Sequence, residues 1–198
     1  MLIYLHGLNS SSNSRKAGML RDQLAPIPVL APSYPAHRPD QAVDSLWQFL
    51  YGLRQERGEG FEPFVVGSSM GGFYGQYLAR HCRFAHLFMI NPALQPWRLF
   101  SVYEGREQTT ADGETYRLTR ALIESTRRFG VEQVCDGVPT TLFLDRGDEV
   151  IDYTLAEAIY RECGRMFLFD DGDHAFAHMS EAIAVIRGEL RAAPHRGR

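Results

Sequence analysis

Short apolar runs alternate with segments of helical periodicity along this chain. The runs lack a strict alternation of polar and apolar residues, which is typical of strands that are buried on both faces of a sheet. The second run, for example, is bounded by Pro26 and Pro32. We predict strands at residues 2–5, 27–31, 64–67, 86–90, 140–144 and 166–169.

The segments between the apolar runs carry the i, i+3, i+4 spacing of amphipathic helices. The clearest one starts at Pro39 or Asp40 and places Ala42, Val43 and Leu46 on one face. Strands that alternate with helices favour an α/β protein with a mainly parallel sheet flanked by helices. We predict the remaining helices at residues 15–24, with Ser14 as N-cap, and at residues 72–81, 153–162 and 176–190.

Residues 91–138 interrupt this alternation, because no obvious buried strand occurs between them. A structureless loop of that length is uncommon in a compact domain. The segment also contains a charged stretch of helical character, residues 116–129. The length of 198 residues suits one domain. We therefore predict a single domain over residues 1–198, with a helical lid insertion at residues 91–138 over one edge of the sheet.

Composition and charge narrow the range of partners. The net charge of −3 offers no basic excess, so we predict no nucleic-acid partner. No apolar stretch approaches the roughly 20 residues that span a membrane, and the first apolar run lacks the features of a signal peptide. We expect a cytoplasmic protein without a membrane span, and the sequence leaves its oligomeric state open.

The three cysteines, Cys82, Cys135 and Cys163, are widely spaced and form no metal or redox motif. Such spacing is expected of free thiols in a reducing compartment. None of the three lies beside a motif that would make it a nucleophile. We therefore expect three free structural thiols.

A nucleophile motif follows the third predicted strand. Gly67-Ser68-Ser69-Met70-Gly71 matches G-x-S-x-G between a strand and a helix, which is the context of a nucleophile elbow. Ser69 is then the exposed nucleophile, and the Met70 amide at the start of the helix can stabilise an oxyanion. A phosphate-binding turn is the alternative, but the Lys-Ser or Lys-Thr of a P-loop is missing and the glycine spacing does not fit a dinucleotide site.

A serine hydroxyl needs a base to take its proton, and in α/β-hydrolases the acid and then the histidine follow the serine along the chain. His174 lies after the sixth predicted strand and is the predicted base. Four carboxylates lie near the end of the fifth predicted strand, those of Asp145, Asp148, Glu149 and Asp152. We rank Asp148 first, because Asp145 belongs to the strand end and Asp152 is suited to an N-cap.

The acidic stretch DDGDH, residues 170–174, has a second interpretation. Its carboxylates and histidine are of the types that bind a hard cation. No second cluster in the sequence completes a coordination shell. We therefore predict no metal site and no cofactor, and we expect these aspartates to form hydrogen bonds within a turn.

The oxyanion hole requires a second donor, and the loop after the first strand, HGLNSSS, is positioned to supply it. The amide of Leu8 is our candidate, whereas His6 is expected to stabilise the turn. The predicted lid also offers apolar side chains for an acyl pocket, although packing on the domain core explains them equally well. The candidate pocket residues are Leu94, Trp97, Leu99 and Phe100.

Four stretches taken together extend the motif to a family resemblance. YLHGLNSSSNSRKA, VGSSMGGFYGQYLA, INPALQPWRL, and GDEVIDY ahead of GDHAF resemble the small bacterial esterases of the YqiA type within the α/β-hydrolase superfamily. The resemblance covers residues 2–190. Leu8 is one departure, since this family often has phenylalanine there.

The resemblance implies an α/β-hydrolase fold and an esterase or thioesterase that acts on a small acyl ester or thioester. It also implies that Ser69, Asp148 and His174 form the catalytic triad. Two alternatives use the same residues or the same fold. One is an amidase or peptidase with this triad, and the other is a binding protein without catalysis.

Overall fold

Strands and helices alternate along the chain as the apolar pattern predicts. The computed structural model describes residues 1–135 and 137–193. Its strands are β1 (Leu2–Leu5), β2 (Val29–Leu30), β3 (Phe64–Ser68), β4 (His86–Ile90), β5 (Glu107–Thr109), β6 (Thr115–Arg117), β7 (Thr140–Asp145) and β8 (Arg165–Phe169). Its helices are α1 (Arg15–Leu24), α2 (Pro39–Arg57), α3 (Met70–Ala79), α4 (Pro96–Leu99), α5 (Arg120–Ser125), α6 (Tyr153–Tyr160) and α7 (Met179–Ala192).

Six of the strands form one parallel sheet in the order β2-β1-β3-β4-β7-β8. Helices flank it, so the predicted α/β class with a mainly parallel sheet is confirmed. In a parallel sheet all carboxyl ends lie at the same edge. The loops that follow β1, β3, β4, β7 and β8 therefore meet at one edge of the sheet.

The sheet carries apolar clusters on both faces. Successive strand residues point to opposite faces, so Val65 and Met89 belong to one cluster whereas Val66 and Phe88 belong to the other. The first cluster includes residues of α2, α3 and α6, and the second includes residues of α1 and α7. Because both faces are covered, the strands read as continuous apolar runs.

Helix α2 is the longest described helix, with 19 residues, and it matches the predicted amphipathic pattern. It buries Ala42, Val43, Leu46, Leu50 and Leu53. Within residues 1–135 and 137–193, no helix combines the length and the apolar character needed to cross a membrane.

Two predicted boundaries differ for reasons of backbone geometry. The strand predicted at residues 27–31 shrinks to β2, since Pro28 has no N–H to contribute and only its carbonyl bonds the amide of Leu2. The helix predicted from Phe176 begins only at Met179. Phe176 has a φ of 67°, which lies outside the right-handed helical region.

The segment predicted as a helical lid also contains a hairpin. Strands β5 and β6 pair in antiparallel fashion, so Tyr116 lies in a strand and not at the start of a helix. The strands are short and mostly exposed, and their signal was the dipeptide Asp112-Gly113, whose glycine has a φ of 85°. Residue 136 of the predicted lid and residues 194–198 of the predicted domain lie outside the described residues.

The expectation of three free thiols is wrong. Cys135 and Cys163 form a disulfide that joins the end of the inserted segment to the loop between α6 and β8. The two residues are 28 positions apart, and only the packed fold brings their Cα atoms to 5.9 Å, within the range that a disulfide requires. Cys82 is a free, buried cysteine.

We predict an acid-sensitive contribution to stability from His86. Burial lowers the pKa of this ring, with Glu189 opposing the shift and Arg165 reinforcing it. The unfolded chain therefore takes up the proton first, and His86 destabilises the fold progressively as pH falls below about 6.5, by at most about 1.4 kcal/mol per pH unit. The variant His86→Gln should lose less stability between about pH 7 and about pH 5 in thermal melts.

The matched control is His81→Gln, because His81 is exposed on the neighbouring turn. Its thermal melts over the same pH range are the reference for those of His86→Gln. An equal dependence in His86→Gln and the wild type would contradict the assignment.

Candidate active site

Ser69 occupies a sharp turn between β3 and α3. Its φ of 53° and ψ of −118° are strained for a residue with a side chain. Backbone bonds hold the turn, since the Ser69 amide donates to the Ile90 carbonyl at 3.0 Å and the Ala93 amide donates to the Ser69 carbonyl at 3.1 Å. This is the strand–turn–helix geometry of a nucleophile elbow.

The glycines around Ser69 are required by close backbone packing. A Cβ on Gly71 would lie 2.0 Å from the Leu5 carbonyl oxygen, and one on Gly67 would lie 2.3 Å from the Gly71 carbonyl oxygen. A Cβ on Gly72 would lie 2.7 Å from the Pro92 side chain. Helix α3 can therefore start directly behind Ser69 only because these three positions carry no side chain.

His174 and Asp148 form a pair at the same edge of the sheet. The Nδ1 atom of His174, in the loop after β8, lies 2.9 Å and 3.2 Å from the two carboxylate oxygens of Asp148, in the loop after β7. The Asp148 carboxylate also accepts bonds from the amides of Val150 and Ile151, each at 2.8 Å, and its side chain is 1% exposed. With Nδ1–H bound to Asp148, the other ring nitrogen of His174 is left as a proton acceptor.

Asp152 has a different role. Its side chain caps α6 and accepts bonds from the amide and hydroxyl of Thr154, and these bonds lower its pKa. Asp145 binds a different histidine, since its carboxylate accepts the Nδ1–H of His178 at 2.7 Å. Of the carboxylates that the sequence offered as partners, the structure brings Asp148 to the His174 ring, whereas Glu149 accepts the backbone amide of His174 at 3.0 Å.

Further charges lie around this pair. Lys16 on α1 is half-buried, and burial lowers its pKa while the carboxylates of Asp173, Asp148 and Asp145 oppose that shift. Asp170 binds Arg146 at 2.7 Å. No metal-holding group of histidine, cysteine and acidic side chains occurs in the part of the chain that the structure describes, DDGDH included.

The loop after β1 lies against the elbow. A Cβ on Gly7 would lie 3.1 Å from the Cβ and 3.6 Å from the Oγ of Ser69, so Leu8 is the next residue along a loop that touches the nucleophile. Met70 is the first residue of α3, where the amide has no partner within the helix. Both candidate oxyanion donors therefore belong to backbone that borders Ser69.

His6 stabilises this loop. Its Nδ1 bonds the Gly7 carbonyl at 3.0 Å, and its ring stacks on Tyr34, whose hydroxyl donates to the His6 carbonyl at 2.5 Å. Burial lowers the pKa of His6. The ring is thus held uncharged in the turn, in agreement with the structural role that the sequence indicates.

The hairpin of the inserted segment docks on the same loop through Asn9. The Asn9 amide group donates to Gln108 Oε1 at 3.0 Å, and its oxygen accepts from the Tyr116 hydroxyl at 2.8 Å. The backbone carbonyl of Asn9 accepts from the Ala111 amide at 3.0 Å. Burial raises the pKa of Tyr116 to about 12, so its hydroxyl stays protonated and donates.

The candidate pocket residues all pack on the larger apolar cluster. Leu94 and Phe100 are buried, and Leu99 and Trp97 are partly buried. Trp97 meets the ring of Phe73 edge-on and lies so close to Gly130 that a Cβ there would be 2.7 Å from the indole. Leu94 directly follows Ala93, which bonds the Ser69 carbonyl. Their role in substrate binding stays a prediction.

Asn91 is a polar residue that the sequence analysis did not single out. It follows β4 directly, is 2% exposed and has a φ of 40°. A polar residue immediately after a buried strand, in the stretch INPALQPW, was the available signal. Its bonds reach both the end of β7 and the loop that carries His174.

The fold is that of the α/β-hydrolases, as predicted, and solved structures similar to it include proteins named as hydrolases and as a lipase. Est1E from Butyrivibrio proteoclasticus matches with a TM-score of 0.71 and 15% identity over 96% of this chain and 86% of that chain. The mouse alpha/beta hydrolase domain-containing protein 10 matches with a TM-score of 0.72 and 17% identity over 96% and 89%. The monoacylglycerol lipase of Paleococcus ferrophilus matches with a TM-score of 0.67 and 17% identity over 96% and 93%.

The chain belongs to the uncharacterised protein family UPF0227, whose model matches residues 1–188. The family resemblance predicted from the four motifs is thereby confirmed. The structural neighbours are less than 25% identical, so they establish the fold.

We predict that Gly71→Ala destabilises the protein severely. Its Cβ would meet the Leu5 carbonyl at 2.0 Å, and neither backbone segment can move without opening the sheet. The loss should be at least about 3 kcal/mol in urea denaturation. Gly18→Ala is the control, since nothing lies within 4 Å of its Cβ. Because this replacement lies inside α1, it should stabilise the protein by roughly 0.5–1 kcal/mol. Wild-type stability in Gly71→Ala would contradict the packing argument.

Proposed function

We propose that the protein is a serine hydrolase that cleaves a carboxylic ester or thioester through an acyl-enzyme intermediate. The observation that carries the proposal is the pair of His174 and Asp148 at 2.9 Å, at the sheet edge where Ser69 occupies a strained elbow. Asp148 holds the imidazole in the tautomer whose free nitrogen can accept a proton, and this is the arrangement that activates a serine.

In the first half-reaction, His174 takes the proton from Ser69 Oγ as the oxygen bonds to the acyl carbon. The carbonyl electron pair moves to its oxygen, and the amides of Leu8 and Met70 stabilise the resulting anion. The intermediate then collapses, the bond to the leaving oxygen or sulfur breaks, and His174 gives its proton to that atom. Asp148 stabilises the imidazolium throughout.

In the second half-reaction, water replaces the leaving group. His174 takes a proton from water as the water oxygen bonds to the acyl carbon, and the proton passes to Ser69 Oγ when the acyl–serine bond breaks. The products are a carboxylic acid and a free enzyme. Each proton is carried by His174, so the proposed cycle requires no cofactor.

Two names among the structural neighbours support an ester as the substrate class. One neighbour is called a monoacylglycerol lipase, and Est1E has been solved with ferulic acid bound. We infer that Leu94 borders the acyl side of the substrate, because it follows the residue that bonds the Ser69 carbonyl. Hydrolysis rates measured on an ester, a thioester and an amide that share the same acyl group identify the preferred leaving group.

We expect Ser69→Ala to reduce the rate of hydrolysis of a p-nitrophenyl acyl ester by on the order of 10³-fold or more, because no other group replaces the nucleophile. It should also abolish labelling by a fluorophosphonate probe. Ser68→Ala is the matched control, since Ser68 is the neighbouring serine in the same turn and is 4% exposed. The control should retain most of its turnover and its labelling, and equal losses in the two variants would refute Ser69 as the nucleophile.

Asp148→Asn should reduce kcat by on the order of 10⁴-fold, because the amide no longer fixes the reactive tautomer of His174. Asp152→Asn should keep its activity and lose about 1 kcal/mol of stability or less, since asparagine is also a good N-cap. Turnover and melting temperature are measured for both variants. Loss of activity in Asp152→Asn, with near-normal turnover in Asp148→Asn, would move the acid to Asp152.

A further inference from the structure

A second buried carboxylate holds the loop that carries His174. Asp145 ends β7, and its side chain is fully buried. Its Oδ2 accepts bonds from the amides of Ala177 at 2.9 Å and Asp173 at 3.4 Å, and its Oδ1 accepts the Nδ1–H of His178 at 2.7 Å. The two amides flank His174 on either side along the chain. We call residues 170–178 the histidine loop.

Asn91 holds the same loop from the neighbouring strand. Its Nδ2 donates to the Asp173 carbonyl at 3.1 Å, and its Oδ1 accepts the Asp145 amide at 2.9 Å. Both polar groups of the Asp173 backbone are therefore bound, the N–H by Asp145 and the carbonyl by Asn91. Asp173 immediately precedes His174, and the His174 amide itself donates to Glu149 at 3.0 Å. The backbone beside the histidine is therefore bound by residues at the ends of β4 and β7 and by the loop that follows β7.

Glycines let the histidine loop pack directly on Asp145. Gly172 has a φ of 96°, and a Cβ there would lie 2.0 Å from the Asp145 carboxylate. A Cβ on Gly147 would lie 2.4 Å from the Gly172 carbonyl oxygen. The loop that carries Asp148 and the loop that carries His174 therefore touch at glycines, with the Asp145 carboxylate beneath them.

A buried carboxylate destabilises a fold unless its hydrogen bonds are fully made. The proposed hydrolysis does not use Asp145, because Asp148 already binds the imidazole of His174. Three donors nevertheless converge on Asp145, and two of them belong to the backbone beside His174. Resting on the proposed function, we infer that Asp145 and Asn91 are positioning residues that hold the His174 imidazole in reach of both Ser69 and Asp148.

The test compares Asp145→Ala and Asn91→Gly with the wild type. Glycine suits residue 91, because it removes the side chain while tolerating the φ of 40°. We expect kcat for a p-nitrophenyl ester to fall by on the order of 10-fold to 10²-fold with little change in KM, as a displaced catalytic group would cause. The downfield NMR signal of the His174 Nδ1–H, assigned by its absence in His174→Ala, should broaden or disappear.

Two further variants separate positioning from general stability. Asp145→Asn should restore most of the activity, since its oxygen can accept both loop amides and its NH₂ can donate to His178 in the other tautomer. Asp170→Asn is the control at the end of the histidine loop, where an exposed carboxylate binds only Arg146 among its described hydrogen-bond partners. It should keep the wild-type kcat and NMR signal.

Unchanged kcat and an unchanged Nδ1–H signal in folded Asp145→Ala would overturn the inference. If Asp145→Ala does not fold, the same result in Asn91→Gly overturns it. Failure of the proposed function gives a different result from failure of this inference. In that case the wild type itself would neither hydrolyse the ester nor react with a fluorophosphonate at Ser69. In that case the NMR signal still reports whether Asp145 and Asn91 orient His174.

Discussion

The close approach of backbone to backbone at the elbow is the constraint on which the site depends. A φ of 53° at Ser69 is a strained conformation that costs of the order of 1–3 kcal/mol. Helix α3 compensates by lying against the end of β1, at a distance that leaves no room for a Cβ on Gly71. The same packing brings Gly7 to the Ser69 side chain and so sets the position of Leu8.

The edge of the sheet carries two pairs of aspartate and histidine with different tasks. Asp148 lies in a loop and takes its other hydrogen bonds from that loop, so its carboxylate is aimed at His174. Asp145 lies at the end of a strand and takes its bonds from the histidine loop. The Asp148 carboxylate therefore binds the imidazole of His174, whereas the Asp145 carboxylate binds backbone amides of the histidine loop. The two aspartates bind different groups because Asp145 is the last residue of β7, whereas Asp148 lies in the loop beyond it.

The segment between β4 and β7 binds the nucleophile region at two places. Its hairpin binds Asn9, one residue beyond Leu8, through a side chain on each strand and the backbone of the turn. Its first residues bond the Ser69 carbonyl through Ala93. Residues between β4 and β7 thus bind both the loop after β1 and the turn that carries Ser69.

The sequence by itself determined the buried strands, the parallel α/β class, the elbow at Ser69 and the histidine after β8. These features are local, since a few neighbouring residues specify a buried strand or a glycine-rich turn. The sequence ranked Asp148 ahead of Asp152 as the partner of His174 but did not exclude Asp152, because both aspartates suit a loop that leads into a helix. The tertiary structure alone decided the Cys135–Cys163 bond, the hairpin on Asn9 and the contacts of Asp145 and Asn91 with the histidine loop. Those contacts join residues that are distant along the chain, and only the packing of strands and loops brings them within bonding distance.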